Sequence, residues 1–283
     1  MVVLDNGTVR AEIVETGAEL RRITVNGEER LWSGDEAVWS GVAPTLFPIC
    51  GGIRDDKFVF EGTEYELEKH GFARKSDFIV EKSNNVSAVF LLKSNEETLK
   101  KYPWEFEFRI KYTLTGSAVK VDCDVKNLSN KVMYTAVGAH EGYSCPEGVE
   151  DYDVIFEKKE TLKTHRLDGT LISHDTDTVL FESDTLPLYN KYFDIDALIF
   201  TDIKSRFVTL RNRKTGKSVS VSFEGFDYLL IWSKPKANAK YVCIEPWTTC
   251  PSYVNDSYDL SEKEGMTAVE PGDTFSRTHT IYF

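Results

Sequence analysis

The sequence is short of basic residues, of paired cysteines, of helix signals and of long apolar runs, and each shortage removes a class of protein. Lysine and arginine total 34 against 46 aspartates and glutamates, a formal charge of −12. That balance disfavours nucleic acid and anionic membrane as partners, since both require a basic surface. No apolar run reaches the roughly 18 residues that a membrane span needs. No leader-like apolar run opens the chain, so a soluble, cytoplasmic protein is expected. The five cysteines, Cys50, Cys123, Cys145, Cys243 and Cys250, are odd in number and contain no C-x-x-C pair. Several lie in apolar strand patterns, where a free thiol packs as a small hydrophobe, and structural roles are expected ahead of metal or redox ones. No fixed-period repeat or low-complexity linker divides the chain. Residues 1–283 are therefore read as one domain, long enough to bury about three quarters of its unfolded surface.

What is present is a succession of strands. In 8–14, Val9, Ala11 and Ile13 share one face, the period-2 pattern of a half-buried strand. Asn26-Gly27 suits the positive φ values of a tight hairpin turn, and Glu61-Gly62 and Asn84-Asn85 mark two more turns. Phe106, Phe108, Ile110, Tyr112 and Leu114 alternate with charged or polar residues. After Gly116, Val119, Val121, Cys123 and Val125 do the same, which predicts antiparallel neighbours with one wet face. Further strands are predicted at 133–137, 154–156, 197–200, 207–210, 219–223 and 274–282. The best helix candidate is 96–101. The fold class that follows is all-β, a large antiparallel β-sandwich or barrel.

One stretch asks for a chemical explanation. Tyr241-Val242-Cys243-Ile244-Glu245-Pro246-Trp247 reads as a buried strand with a carboxylate near its end and a proline that should stop the ladder. The apolar segment Tyr228-Leu229-Leu230-Ile231-Trp232 is its predicted partner. Charged groups are almost never buried unless paired, so Glu245 is either salt-bridged at a sheet edge or set at the mouth of a pocket. Of the five histidines, His165, His174 and His279 lie among Thr, Ser, Asp and Arg and read as solvated loop or edge residues. His70, in His70-Gly71-Phe72-Ala73-Arg74, and His140, in Gly138-Ala139-His140-Glu141-Gly142, have small neighbours that let a ligand approach. A satisfied core histidine remains the commoner reading for each. Zinc ligation ranks low, because no close-spaced pair of the H-E-x-x-H kind occurs.

These motifs, taken in order with Leu46-Phe47-Pro48-Ile49, Gly51-Gly52-Ile53-Arg54 and Asp196-Ala197-Leu198-Ile199-Phe200, resemble the aldose 1-epimerase (galactose mutarotase) family. The closer likeness is to its shorter bacterial branch. The resemblance runs from the first strands to the C-terminus and implies a galactose mutarotase-like supersandwich. It implies interconversion of the α and β anomers of a free aldohexose, with no cofactor and no metal. By motif position Glu245 matches the general base, His140 the general acid and His70 a second active-site histidine. Arg54 and Asp196 match sugar-binding positions. Arg74 offers a further contact, and Trp232 and Trp247 are either an apolar face for sugar C–H groups or ordinary core.

The chemistry suits these residue types. A base takes the C1 hydroxyl proton, an acid protonates the ring oxygen, and rotation about C1–C2 before reclosure gives the other anomer. Glu141, beside His140, departs from the better-known enzymes and is expected either to orient His140 or to face solvent. The Gly52-Ile53-Arg54 context departs as well, which bears on substrate identity. The resemblance also implies an alternative, because a related branch of the family acts on hexose 6-phosphates and Arg54 and Arg74 are of a type suited to phosphate. Asp55, Asp56 and Asp77 lie close in sequence to the two arginines, which favours a neutral sugar. A non-catalytic carbohydrate-binding protein is the competing reading. Glycoside hydrolysis ranks last, because only one convincing carboxylate is evident. The partners expected are a small-molecule sugar and at most a second copy of the chain, as a monomer or homodimer.

Overall fold

A computed structural model describes residues 1–283. The alternation that marked 106–127 becomes the centre of a nine-stranded antiparallel sheet. Phe106–Thr115 and Ala118–Asn127 pair with Tyr112 opposite Val121 and Ile110 opposite Cys123. Apolar side chains at every second position face the core, while Glu107, Arg109 and Lys111 take the wet face. Across the sheet the order is Leu171–Pro187, Tyr152–Asp168, Phe207–Asn212, Ser218–Ser222, Thr274–Tyr282, Ala118–Asn127, Phe106–Thr115, Ser87–Lys93 and Ile79–Ser83. The chain's final strand thus sits in the middle, paired with both 118–126 and 220–222.

A second, four-stranded sheet is built from Glu141–Ser144, Tyr241–Trp247, Tyr228–Trp232 and Leu198–Phe200, in that order. The first four strands, Val2–Asp5, Val9–Ile13, Leu20–Val25 and Glu28–Glu29, form another. A cluster of 62 buried residues running from Leu4 to Ile281 fills the space between these sheets. Burial of each large apolar side chain there contributes about 1.5–3 kcal/mol before entropy is counted. The short helix Glu96–Lys101 falls where expected, capped by the Asn95 side chain, which accepts from the N–H groups of Glu97 and Thr98.

Five expectations need correction. The strand Val2–Asp5 was not anticipated. The predicted 154–156 strand is the start of Tyr152–Asp168, which turns into Leu171–Pro187 as one long hairpin. Register shifts between Ile155 and Glu160, and again up to Leu167, break its alternation, so no period-2 signal survives in the sequence. Pro246 does not end its strand: it removes one donor, but its carbonyl still accepts from the Ala139 N–H at 3.0 Å. His279 is not a solvated edge residue. It is 3 % exposed, on the inward face shared with Phe275 and Ile281, and its Nε2 lies 2.9 Å from Glu141 Oε1. Glu141 in turn neither orients His140 nor faces solvent. Successive residues of an extended chain point to opposite faces, so Glu141 enters the core while His140 faces the other way.

Candidate active site

All seven residues of Tyr241–Trp247 are buried, because Glu141–Ser144 pairs on one side and Tyr228–Trp232 on the other. Glu245 is therefore on a central strand, not an edge. The Gly138-Ala139-His140 segment is fastened alongside it. Ala139 donates to the Pro246 carbonyl, and Trp247 Nε1 donates to the Ala139 carbonyl at 3.1 Å. A Cβ on residue 138 would stand 2.7 Å from Trp247 Cδ1, so glycine is needed for that approach. The result is His140 Nε2 at 3.3 Å from Glu245 Oε2.

His70 arrives from another direction. Its backbone is left-handed, with φ 69°, and Gly71 follows at φ 68°. A Cβ on residue 71 would lie 2.2 Å from the Phe47 carbonyl oxygen, so only glycine fits. The left-handed histidine costs about 1–3 kcal/mol, and such strain collects at functional sites. Two bonds hold it: His70 N–H donates to the Gly51 carbonyl at 2.9 Å, and Gly51 N–H donates to His70 Nδ1 at 3.1 Å. With Nδ1 accepting, the neutral ring carries its proton on Nε2. The His70 and His140 ring centres are 5.7 Å apart, edge to face.

These three groups line one cavity of about 270 Å³, together with Trp39, Lys69, Arg74, Asp196, Trp232 and Lys234. Its far wall includes Leu167 and Thr170, from the tip of the long hairpin. That volume lies just below the usual range of small-molecule sites, room for a ligand of about one ring. Trp39 and Trp232 approach the His140 ring at 5.4 and 5.6 Å, and Trp247 approaches His70 at 5.4 Å. This apolar casing sets the protonation states. Burial holds His140 far below the ordinary histidine value, at about 3, and lowers His70 as well, with the His140 charge adding to that effect. Burial drives the Glu245 carboxyl well above its ordinary value, and the nearby Lys69 cation pulls it partly back. A histidine that gives up its proton beside a carboxyl that keeps one is a pair holding a single proton between two sites.

Of the residues singled out in the sequence, Glu245, His140, His70, Asp196, Trp232 and Arg74 meet in the cavity. Asp196 faces Lys69 Nζ at 3.7 Å, and Arg74 donates to the Lys69 carbonyl at 2.8 Å. Arg54 does not join them. It belongs to the turn Arg54–Asp56, where its guanidinium lies over the Tyr258 ring at 4.5 Å and donates to the Asp256 carbonyl. Trp39, Lys69, Thr170 and Lys234 were overlooked, being single residues in irregular loops with no pattern to mark them. Lys69 alone had a signal, its place directly before His70. Three polar atoms on the cavity's side chains, Arg74 Nε, His140 Nδ1 and Trp232 Nε1, are buried without a hydrogen-bond partner.

A β-sandwich whose inner strands hold a one-proton imidazole–carboxyl pair, walled by tryptophan and rimmed by charge, is of the class equipped for acid–base work on a small polar ligand. The chain belongs to the aldose 1-epimerase family, whose model matches residues 1–282. It is similar to the plasmid-encoded protein LacX of Lactococcus lactis subsp. lactis, at 34% identity over 99% of this chain and 98% of that protein. Among solved structures it is similar to a galactose mutarotase related enzyme from Lactobacillus acidophilus, with TM-score 0.95 and 31% identity over 99% of this chain and 96% of the other. A galactose mutarotase-like protein from Lactobacillus casei ATCC 334 superposes with TM-score 0.95 and 27% identity, covering 100% and 99%.

Proposed function

We propose that the protein is an aldose 1-epimerase, a single mutarotase-like domain that interconverts the α and β anomers of a free aldohexose by acid–base ring opening. The observation that carries this reading is the His140–Glu245 pair at 3.3 Å inside a cavity that also holds His70. In the productive form Glu245 is ionised, which the Lys69 cation favours, and His140 is protonated, against burial and the same cation. Glu245 takes the proton of the C1 hydroxyl while His140 gives its proton to the ring oxygen, and the C1–O5 bond breaks to leave the aldehyde. After rotation about C1–C2 the same two groups, now carrying the opposite protons, run closure on the other face. No net proton is consumed, which matches a pair that holds one. His70, with its proton on Nε2, donates to the sugar oxygen that carries developing charge. Asp196 and Arg74 hold hydroxyl groups, and Trp232 covers a C–H face. The five free cysteines, four of them buried, support a reducing, cytoplasmic setting.

A second substrate reading has its own observation. Sequence neighbours alone disfavoured phosphate, yet the fold brings Lys69, Arg74 and Lys234 to one cavity. Lys69 is offset by Asp196 and Arg74 by Glu68, whereas Lys234 has no carboxylate partner. A cation of that kind at the rim fits the phosphate of a hexose 6-phosphate.

The test is anomer exchange followed by NMR on α-glucose, α-galactose and glucose 6-phosphate, with the intact protein, His140→Ala and Glu245→Gln. Acceleration lost in both variants supports the enzyme. Saturable sugar binding without acceleration replaces it with a binding protein. A kcat/KM for glucose 6-phosphate above that for glucose, reduced by Lys234→Ala, selects the phosphorylated substrate.

A further inference from the structure

Cys243 has no part in the reaction just described, yet it stands directly behind the reacting pair. It lies two residues before Glu245 on the same strand, so both side chains leave the same face. His140 Nε2 or Nδ1, Cys243 Sγ and a Glu245 oxygen fall within 4.8 Å of one another. A tetrahedral ion with bonds of about 2.0–2.3 Å spaces its ligand atoms about 3.3–3.8 Å apart. The 3.3 Å between His140 Nε2 and Glu245 Oε2 already equals one such edge. Nitrogen, sulfur and oxygen donors together select zinc or cobalt over magnesium or calcium, which prefer oxygen alone. No close-spaced histidine pair marks this set in the sequence. Its signal is C-x-E on a buried strand with a histidine supplied from a neighbouring segment.

We propose that His140, Cys243 and Glu245 form a three-ligand site for zinc(II), with its fourth position open to the cavity, and that occupancy shuts the acid–base pair down. The bound ion takes the place of the proton that His140 and Glu245 share. The thiol proton of Cys243 and the pair's proton both leave to solvent as the Zn–S, Zn–N and Zn–O bonds form, and no oxidant or reductant takes part. Zinc and sugar are then mutually exclusive, since both need Glu245 and His140. The metal site rests on the donor set alone and stands whether or not the sugar is turned over, while its inhibition of turnover rests on the proposed function.

The direct experiment adds cobalt(II) to the intact protein, to Cys243→Ser, a near-isosteric substitution, and to Cys243→Ala as a second variant, each shown to be folded by circular dichroism. One equivalent of cobalt is expected to give a sulfur-to-cobalt charge-transfer band in the near ultraviolet with the wild type, displaced by zinc and absent in both variants. Zinc binding by calorimetry is expected to weaken by about 100-fold in the variants, since even outer partners of a metal site account for about 10–100-fold in affinity. Sugar turnover in metal-free buffer is expected to be kept, with zinc inhibition relieved to the same degree. Stoichiometric cobalt binding without the sulfur band, equal zinc affinity in wild type and variants, or no binding at all would each overturn the proposal.

Discussion

At the scale of single residues, the site is a carboxyl and an imidazole buried together under tryptophans. Removing the carboxyl's acidity while keeping its shape separates chemistry from stability. Glu245→Gln is expected to lower anomerisation by about 10²–10⁴-fold, the range for a positioned proton-transfer group. The same change ends the cost of burying an ionisable carboxyl, so melting is expected to rise by roughly 2–4 °C, the shift that about 1 kcal/mol produces in a chain of this size. A calorimetric melt beside the NMR assay checks both, and a fall in both activity and melting temperature would contradict this account. The pH dependence of stability carries a further sign. His70 and His140 are held below their ordinary value by burial, so they take up protons on unfolding and stability falls as pH drops below about 6.5. Glu245, held above its ordinary value, keeps in the folded state a proton that the unfolded chain gives up, so its contribution declines as pH rises above about 4.5. Between about pH 4.5 and 6.5 the two lowered histidines outnumber the raised carboxyl, so melting temperature is expected to rise with pH across that window as far as these groups are concerned. In Glu245→Gln, with the opposing carboxyl gone, that rise should be steeper.

At the scale of elements, the site depends on two places where backbone meets backbone too closely for a side chain. Gly71→Ala sets a Cβ against the Phe47 carbonyl at 2.2 Å in a left-handed conformation. The expected loss is at least about 2–3 kcal/mol of stability. Activity falls further than stability explains, because the Gly51–His70 bonds move with the turn. Equal sugar turnover per folded molecule in this variant would show that His70's placement does not matter. The long hairpin works at the other side of the cavity. Its tip places Thr170 so close to Gly52 that a Cβ on Gly52 would stand 2.5 Å from Thr170 Oγ1. That contact fixes where Leu167 and Thr170 wall the cavity. Thr170→Trp is expected to raise KM for every hexose and, by crowding the Gly52 contact, to lower stability by about 1–3 kcal/mol.

At the scale of the whole molecule, the last strand of the chain lies at the centre of the nine-stranded sheet. Thr274–Tyr282 joins the two halves of the nine-stranded sheet, and His279 links it across the core to Glu141, the residue after His140. Ending the chain at Glu270 is expected to abolish the cooperative transition in circular dichroism, because strands on both sides would lose their partner. A folded product would mean the sheet closes without it. Glu141→Ala is expected to cost about 1–3 kcal/mol by leaving the buried His279 Nε2 without its hydrogen-bond partner, again read from the melt.

What the sequence determined by itself was everything that local chemistry writes down. Strand alternation at 106–125, the turns at Asn26-Gly27 and Glu61-Gly62, the capped helix at 96–101 and the anomalous Glu245 all follow from spacing and propensity. The tertiary structure alone decided the rest, since those outcomes depend on which distant residues meet. Bulges hid the hairpin, and polar neighbours disguised the inward-facing His279. Arg54 lay in the right motif but stacks on Tyr258, two hundred residues away in sequence. Trp39, Lys69 and Lys234 come to Glu245 only through the packing of the sheets, and so does His140. A proton held by two groups a hundred residues apart is a property of their 3.3 Å separation, and no local pattern encodes a distance of that kind.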